Sequence, residues 1–351
     1  MVGRERELAE LGTFFAGACG GEGAVVLLAG EAGVGKTRLA EAATADSRLA
    51  CLRTVAPARG SSPYAPIAAV LRQYVRREPD GLSRANPLVA HLGALLPELG
   101  PPPTATDRET LHAAVRHAFD AIAARGPVVV FLDDLHWADA ATLELLPSLA
   151  EAADDRPLLL LGAYRTEEIP RGHALRRLRT DLRRAGRFVE LTIEPLGAAA
   201  AAELAGEALG AKAGPALGAA LFDRTLGVPF FVEELAAALR AAGRLRPGPR
   251  GLELDDASSV PIPETLRDAL RIRTESLSEE ARASREAAAA VGLEVDLGVL
   301  ASLGRDAGIG EALESRPPRR TRAGRRRVPA RPSTGGGVRR HALAAPPCPA
   351  P

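Results

Sequence analysis

Between residues 4 and 17, apolar side chains recur every three or four positions, with Leu8, Leu11 and Phe15 on one stripe. That period predicts an amphipathic helix. The pattern then changes. Ala24 to Gly30 (AVVLLAG) is an unbroken apolar run rich in branched residues, which at this length predicts a buried strand. TRLAEAATA, from Thr37, is a good helix former. The alternation repeats down the chain. CLRTVAP, from Cys51, reads as a second strand, SSPYAPIAAVLRQYVRR as a helix entered through prolines, and GPPPTATDRET as a loop. A helix is predicted from about Asp107 to Arg125, with Leu111, Val115, Phe119 and Ile122 along one face and a stop at Gly126. Val128 to Leu132 is the next strand, Arg156 to Glu168 contains another, and RFVELTI, Arg187 to Ile193, is the fifth. Strands alternating with helices predict an α/β fold with a parallel sheet over residues 1–196.

Residues 197–243 are helical in pattern throughout. One break interrupts them, where Gly227 and Pro229 in GVPFFVEEL combine a helix stop with a helix start. Residues 244–262, with RPGPRG and DDASSVPIP, are expected to be a linker. Two helices are expected in 263–314, the second capped by Ser278, with Glu279 and Glu280 in its first turn and its end at Gly292. From Ser315 onward no apolar period survives, so residues 315–351 are expected to form a disordered tail.

The first strand runs into GEAGVGKT, and strand, glycine loop, helix is the order a phosphate-binding loop requires. The candidate cradle is Gly30, Glu31, Ala32, Gly33, Val34, Gly35, Lys36, Thr37 and Arg38. Its glycines let backbone N–H groups converge on phosphate oxygens, and the helix start is favourable for an anion. Lys36 is the candidate to reach the β- and γ-phosphates, and the Thr37 hydroxyl to bind Mg²⁺. Lysine is otherwise almost absent, occurring only at positions 36 and 212. The strand at Val128 ends in Asp133-Asp134, and strand ends are where a parallel sheet meets its ligands. Asp133 is the candidate to hold Mg²⁺ through water. Asp134 is the candidate to orient or deprotonate an attacking water. A solvated acidic pair is the alternative. The strand before Glu168 ends at Arg165, a candidate sensor of the γ-phosphate; the alternative is a surface arginine paired with Glu167 or Glu168.

Six strings in this order resemble the ATPase module of the signal-transducing ATPases related to the AAA class, and more closely that of the large ATP-binding regulators of the LuxR family. They are VGRERELAEL at Val2, GEAGVGKTRL at Gly30, FLDDLHWADAATLELL at Phe131, GAYRTEE at Gly162, TLGVPFFVEEL at Thr225 and VPIPETLRDALRIR at Val260. The resemblance covers roughly residues 1–300. It implies a P-loop NTPase core with a helical lid at 197–243, ATP or ADP with Mg²⁺ as ligands, and a nucleotide-controlled switch with slow hydrolysis. It also implies that the segment Val2 to Glu7, with Val2 foremost, borders the adenine site and that Pro229 approaches the adenine; the residues themselves leave a plain interhelical turn open at Pro229. By the same resemblance, 263–314 opens a winged-helix domain. The helical repeats and DNA-binding helix-turn-helix that follow in that family are missing, so the chain reads as truncated. Two other readings remain open: the same module serving a nucleotide cyclase or kinase signalling protein, and a freestanding ATPase.

Composition narrows this only a little. The 351 residues are 46% hydrophobic and 25% charged, with 3% aromatic, so the core is expected to be Leu, Val and Ala. The charged N-terminus is unlike a signal peptide, and no apolar run reaches the ~18 residues of a membrane span. Cys19, Cys51 and Cys348 lack metal-site spacing. A cytoplasmic protein without membrane partners is the expectation; an effector or partner protein and an oligomer stay open. Ten arginines and no acid stand from Ser315 on. One reading is a basic tail making weak, nonspecific DNA contacts; the other is a stretch that left its original reading frame. Sequence-specific DNA binding is not expected.

Overall fold

The computed structural model describes residues 1–255, apart from 46–48, 59–61, 83–85, 104–105, 154 and 185–187, together with 278–284. Helix α1 (Glu5–Cys19) leads into strand β1 (Ala24–Gly30), and after the glycine loop come α2 (Lys36–Ala45) and β2 (Ala50–Val55). Then follow α3 (Ala65–Arg77), the short α4 (Pro87–His91), α5 (Arg108–Ala123), β3 (Val128–Asp133), α6 (Ala140–Ala153), β4 (Leu158–Arg165), α7 (Ala174–Arg184) and β5 (Phe188–Thr192). The five strands form one parallel sheet in the order β2-β3-β4-β1-β5. This is a P-loop NTPase α/β fold.

Alternation along the strands builds two cores from one sheet. Val25 and Leu27 of β1, with Val130 and Leu132 of β3, face α3, α5, α6 and α7 through Ile67, Phe119, Leu149 and Leu178. Val26, Leu28, Val129 and Phe131 face α1 and α2 through Leu11, Phe15 and Leu39. Because both faces are covered, the strands read as continuous apolar runs rather than alternating ones.

Three helices follow: α8 (Ala198–Leu209), α9 (Pro215–Thr225) and α10 (Pro229–Ala241). They have their own core, in which Leu204, Leu217, Leu221, Leu235 and Leu239 pack together with Val2 and Leu196. The turn between α9 and α10 needs its glycine. Gly227 has φ +77°, and a Cβ there would lie 1.9 Å from the Leu196 carbonyl oxygen.

The expected linker differs from the structure. Leu245–Gly248 (β6) and Gly251–Leu254 (β7) form an antiparallel hairpin. Leu245, Leu252 and Leu254 pack on the core of α8–α10. The Leu252 N–H donates to the Lys212 carbonyl at 2.8 Å, and the Leu252 carbonyl accepts from the Gly214 N–H at 2.8 Å. Pro249-Arg250 is the hairpin turn, so residues that read as linker composition punctuate two strands too short to show a period. Residues 256–262 lie outside the described residues, as do most of the expected winged-helix region and the whole tail. Within 278–284, Ser278 Oγ accepts the Ala281 N–H at 3.2 Å, the cap expected there. No described helix is long and apolar enough to cross a membrane.

Candidate nucleotide site

Because β4 lies between β1 and β3, the ends of all three strands meet at one edge of the sheet, with Gly30 of β1 opposite Arg165 of β4. The loop from Gly30 to α2 turns through Gly33 (φ +77°) and Gly35 (φ +99°). Lys36 is only 7% exposed. Its Nζ donates to the carbonyls of Gly30 and Glu31, both at 2.8 Å. Burial lowers its pKa to about 8, against an opposing pull from Glu167.

The Thr37 hydroxyl donates to Asp133 Oδ2 at 2.8 Å, so a residue at the start of α2 and one at the end of β3 converge. Asp133 is 4% exposed and also accepts from the Asp134 N–H at 3.0 Å. Arg53 of β2 reaches Asp133 Oδ2 at 3.4 Å, pairs with Glu41 of α2, and lies over the Phe131 ring. Asp134 stands in the left-handed region at φ 53°, ψ 42°, a conformation tolerated by aspartate and concentrated at functional sites. Burial and then the Asp133 charge raise its pKa. A hydroxyl and a carboxylate suit a hard cation such as Mg²⁺. Among the described residues no group of three or more His, Cys, Asp or Glu is placed to hold a metal. A cation at Thr37 and Asp133 would therefore complete its shell with phosphate oxygens and water, as Mg²⁺ ordinarily does.

Of the two sequence readings of Arg165, the structure shows the pairing with Glu168. Its Nη1 donates to Glu168 Oε1 at 2.6 Å, while its Nε stands 3.7 Å from Asp134 Oδ1. The guanidinium lies 4.9 Å above the Trp137 ring. Glu167 instead accepts the Ala32 N–H at 2.7 Å. His136, in the tight turn Leu135–Trp137, is buried; its Nδ1 accepts the Arg165 N–H at 3.4 Å, and its carbonyl accepts His173 Nε2–H at 2.9 Å. Burial, reinforced by the Arg165 charge, lowers its pKa to about 3 and keeps the ring neutral.

Two further segments close on the loop. The Phe230 N–H, one residue past Pro229, donates to the Gly33 carbonyl at 3.2 Å. Arg38 of α2 pairs with Glu233 of α10 at 2.6 Å. From the other side Arg4, 3% exposed, donates to the Val34 carbonyl at 3.0 Å and pairs with Glu7 at 3.1 Å, while Val2 is buried among residues of α8–α10. Phe230 beside Pro229 and Arg4 near Val2 thus both touch the glycine loop. Sequence reasoning missed Arg53, His136 and Glu233 as parts of this site, reached Arg4 only as a member of the segment Val2 to Glu7, and named Glu167 and Glu168 only as surface partners of Arg165. Of these residues, only Arg53 lies outside the six strings singled out.

Residues 1–161 match the family profile described as AAA ATPase domain. Over 338 residues the chain is 27% identical to an uncharacterized protein of Rhizobium meliloti (strain 1021). That match covers 88% of this chain and 31% of the relative, so the chain spans under a third of the relative's length. The fold is similar to that of a Walker-type ATPase of Pyrococcus abyssi, with a TM-score of 0.50 at 16% identity, over 90% of this chain and 89% of that one. A looser likeness, with a TM-score of 0.46 at 16% identity, is to a signal transduction ATPase with numerous domains and a tetratricopeptide repeat sensor from Pyrococcus horikoshii; it covers 81% of this chain and 34% of that one. Residues 1–161 are thus similar to an AAA ATPase domain, within a fold of the P-loop NTPase kind.

Proposed function

We propose that this chain is an ATP-binding regulatory switch with slow hydrolysis, the nucleotide-sensing part of a LuxR-type transcriptional regulator. The observation that carries the ATPase reading is the Thr37–Asp133 hydrogen bond of 2.8 Å beside a buried Lys36. Lys36 would leave the two carbonyls for the β- and γ-phosphates, exchanging neutral acceptors for charged ones. Thr37 and Asp133 would hold Mg²⁺, which when bound offsets phosphate charge. Asp134 would orient the attacking water, helped by a raised pKa that favours proton acceptance. Its side chain is one methylene shorter than the glutamate many P-loop enzymes use there, and Arg165 stands 3.7 Å from it. Both features support slow turnover. Arg165 would meet the terminal phosphate from the end of β4, and Val2 and Pro229 would border the base.

The switch reading rests on the contacts of α10. Phe230 and Glu233 tie the lid to the loop that would hold the phosphates, so filling the loop alters what the lid touches. The regulator reading rests on the resemblance of the DDLHWAD and GVPFFVEEL strings, and the short coverage of the Rhizobium meliloti relative suits a module of a larger protein. Calorimetric titration with ATP and Mg²⁺, combined with steady-state phosphate release, tests the core of the proposal. Binding with turnover well below about 1 s⁻¹ is expected. Turnover within the roughly 1–10³ s⁻¹ of ordinary enzymes would favour a freestanding ATPase, and absence of binding would defeat the reading.

A further inference from the structure

Three groups around the end of β4 converge on one carboxylate. Glu168 Oε1 accepts Arg165 Nη1–H at 2.6 Å, and Glu168 Oε2 accepts Trp137 Nε1–H at 3.0 Å. The buried His136 Nε2 lies 3.3 Å from the same Oε2, close but not aligned for a hydrogen bond. Arg165 is therefore held on two sides, by Glu168 from its own loop and by the face of Trp137 at 4.9 Å, while Asp134 Oδ1 stands 3.7 Å from its Nε. The two carboxylates are not equal partners. The Glu168 contact is short and charge-assisted, whereas the Asp134 contact is beyond hydrogen-bond distance. Glu168 thus restrains Arg165 from closing the last ångström onto Asp134. A closed pair there would fix the Asp134 carboxylate against the guanidinium and take up the oxygen that a water needs.

We propose that Glu168 is a positioning residue: it holds Arg165 against Trp137 and off Asp134, so that Asp134 is left to a water and Arg165 to the terminal phosphate. This rests on the ATPase reading above. Without Glu168, Arg165 has Asp134 as its nearest anion, and the two groups proposed for hydrolysis neutralise each other. Nucleotide affinity is supplied by the glycine loop and Lys36, which do not touch Glu168, so binding stays while turnover falls. Trp137, the only tryptophan, carries the other half of the clamp and reports it directly: Glu168→Gln removes the negative charge at its Nε1 and loosens the guanidinium above its ring.

The test uses the full chain with Glu168→Gln, Arg165→Ala, the double variant and Glu168→Asp. Each is assayed for ATP affinity, turnover and Trp137 emission before nucleotide is added. For Glu168→Gln the affinity should stay within about twofold, turnover should fall about tenfold or more, as misplacement of a reacting group by about an ångström does, and emission should shift. Glu168→Asp, which keeps the charge, should recover part of the turnover. The double variant should be no slower than Arg165→Ala alone, because Glu168 acts only through Arg165. Full turnover in Glu168→Gln, or losses that simply multiply in the double variant, would overturn the proposal. A wild-type chain that neither binds nor hydrolyses ATP would overturn the ATPase reading itself, and with it this one; active wild type with an indifferent Glu168→Gln overturns the positioning role alone.

Discussion

Lys36→Met should leave the nucleotide-free protein close to wild type in stability at pH 7, flatten its pH dependence and remove its response to nucleotide. The wild-type amine is 7% exposed, and its pKa falls from 10.5 to about 8. At pH 7 the buried charge costs on the order of 3 kcal/mol, since one pKa unit is 1.36 kcal/mol. Methionine keeps most of the apolar stem but loses the two bonds to the Gly30 and Glu31 carbonyls, at about 1.5 kcal/mol each, the low end for a charged donor. The two effects nearly cancel at pH 7, so the two proteins should melt within about 3 °C of each other there. The sign with pH follows from proton binding. Between pH 8 and 10.5 the unfolded wild type carries the Lys36 proton more often than the folded protein does. Wild-type stability should therefore gain from this group as pH rises through that window, and the variant should lack the gain. With Mg²⁺ and ATP at 100 times Kd, the wild type gains about 2.7 kcal/mol and the variant almost none. Thermal melts of both proteins, with and without nucleotide, at pH 7 and pH 9.5, read all of this. A variant that keeps the wild-type pH dependence, or that still melts higher with Mg²⁺ and ATP, would refute the reasoning.

Asp134→Asn should keep ATP affinity and slow phosphate release about 10²-fold or more, the usual worth of a positioned acid or base; asparagine tolerates the left-handed backbone at this position, so circular dichroism should be unchanged, and full turnover would make Asp134 a bystander. Glu233→Ala, which breaks the half-exposed pair with Arg38, should cost at most about 1 kcal/mol in stability yet speed dissociation of a fluorescent ATP analogue in stopped flow; an unchanged off-rate would sever the lid from the site. A chain cut after Glu314 should bind ATP as the full chain does, since every residue proposed for the site precedes it. Any duplex binding by the full chain should be blind to sequence, fall steeply between two salt concentrations and vanish in the cut form; salt-resistant, sequence-specific binding would contradict both readings of the tail.

The sheet was legible because its strands are covered on both sides, so AVVLLAG, VVVFL and PLLLLGAY stand out as uninterrupted runs. The phosphate loop was legible because its backbone turns demand glycines and its chemistry demands Lys36-Thr37, all within eight residues. The contacts that complete the site were not. Thr37 and Asp133 are 96 positions apart, Ala32 and Glu167 are 135, and Arg38 and Glu233 are 195. Those pairs exist only because β4 is inserted between β1 and β3 and because α10 lies over the loop. Arg53 illustrates the gap: on the sequence it is one arginine among many, and only the β2–β3 pairing sets it beside Asp133. The hairpin Leu245–Leu254 was hidden for another reason, since four-residue strands bearing Arg, Pro and Gly show no period and gain their order from α8–α10.

The separate core of α8–α10 has a consequence for how the molecule breathes. Leu204, Leu217, Leu221, Leu235 and Leu239 bury one another rather than the sheet, so a tilt of the three helices uncovers little apolar surface. Its cost lies in a few polar links: Phe230 to Gly33, Arg38 to Glu233 and Leu196 to Gly227. Such a unit is expected to open as one body, with its amides exchanging with solvent together at a free energy below that of β1, β3 and β4. A polyphosphate in the loop would tighten those links first, so ligand protection against exchange would spread through helices that never touch it.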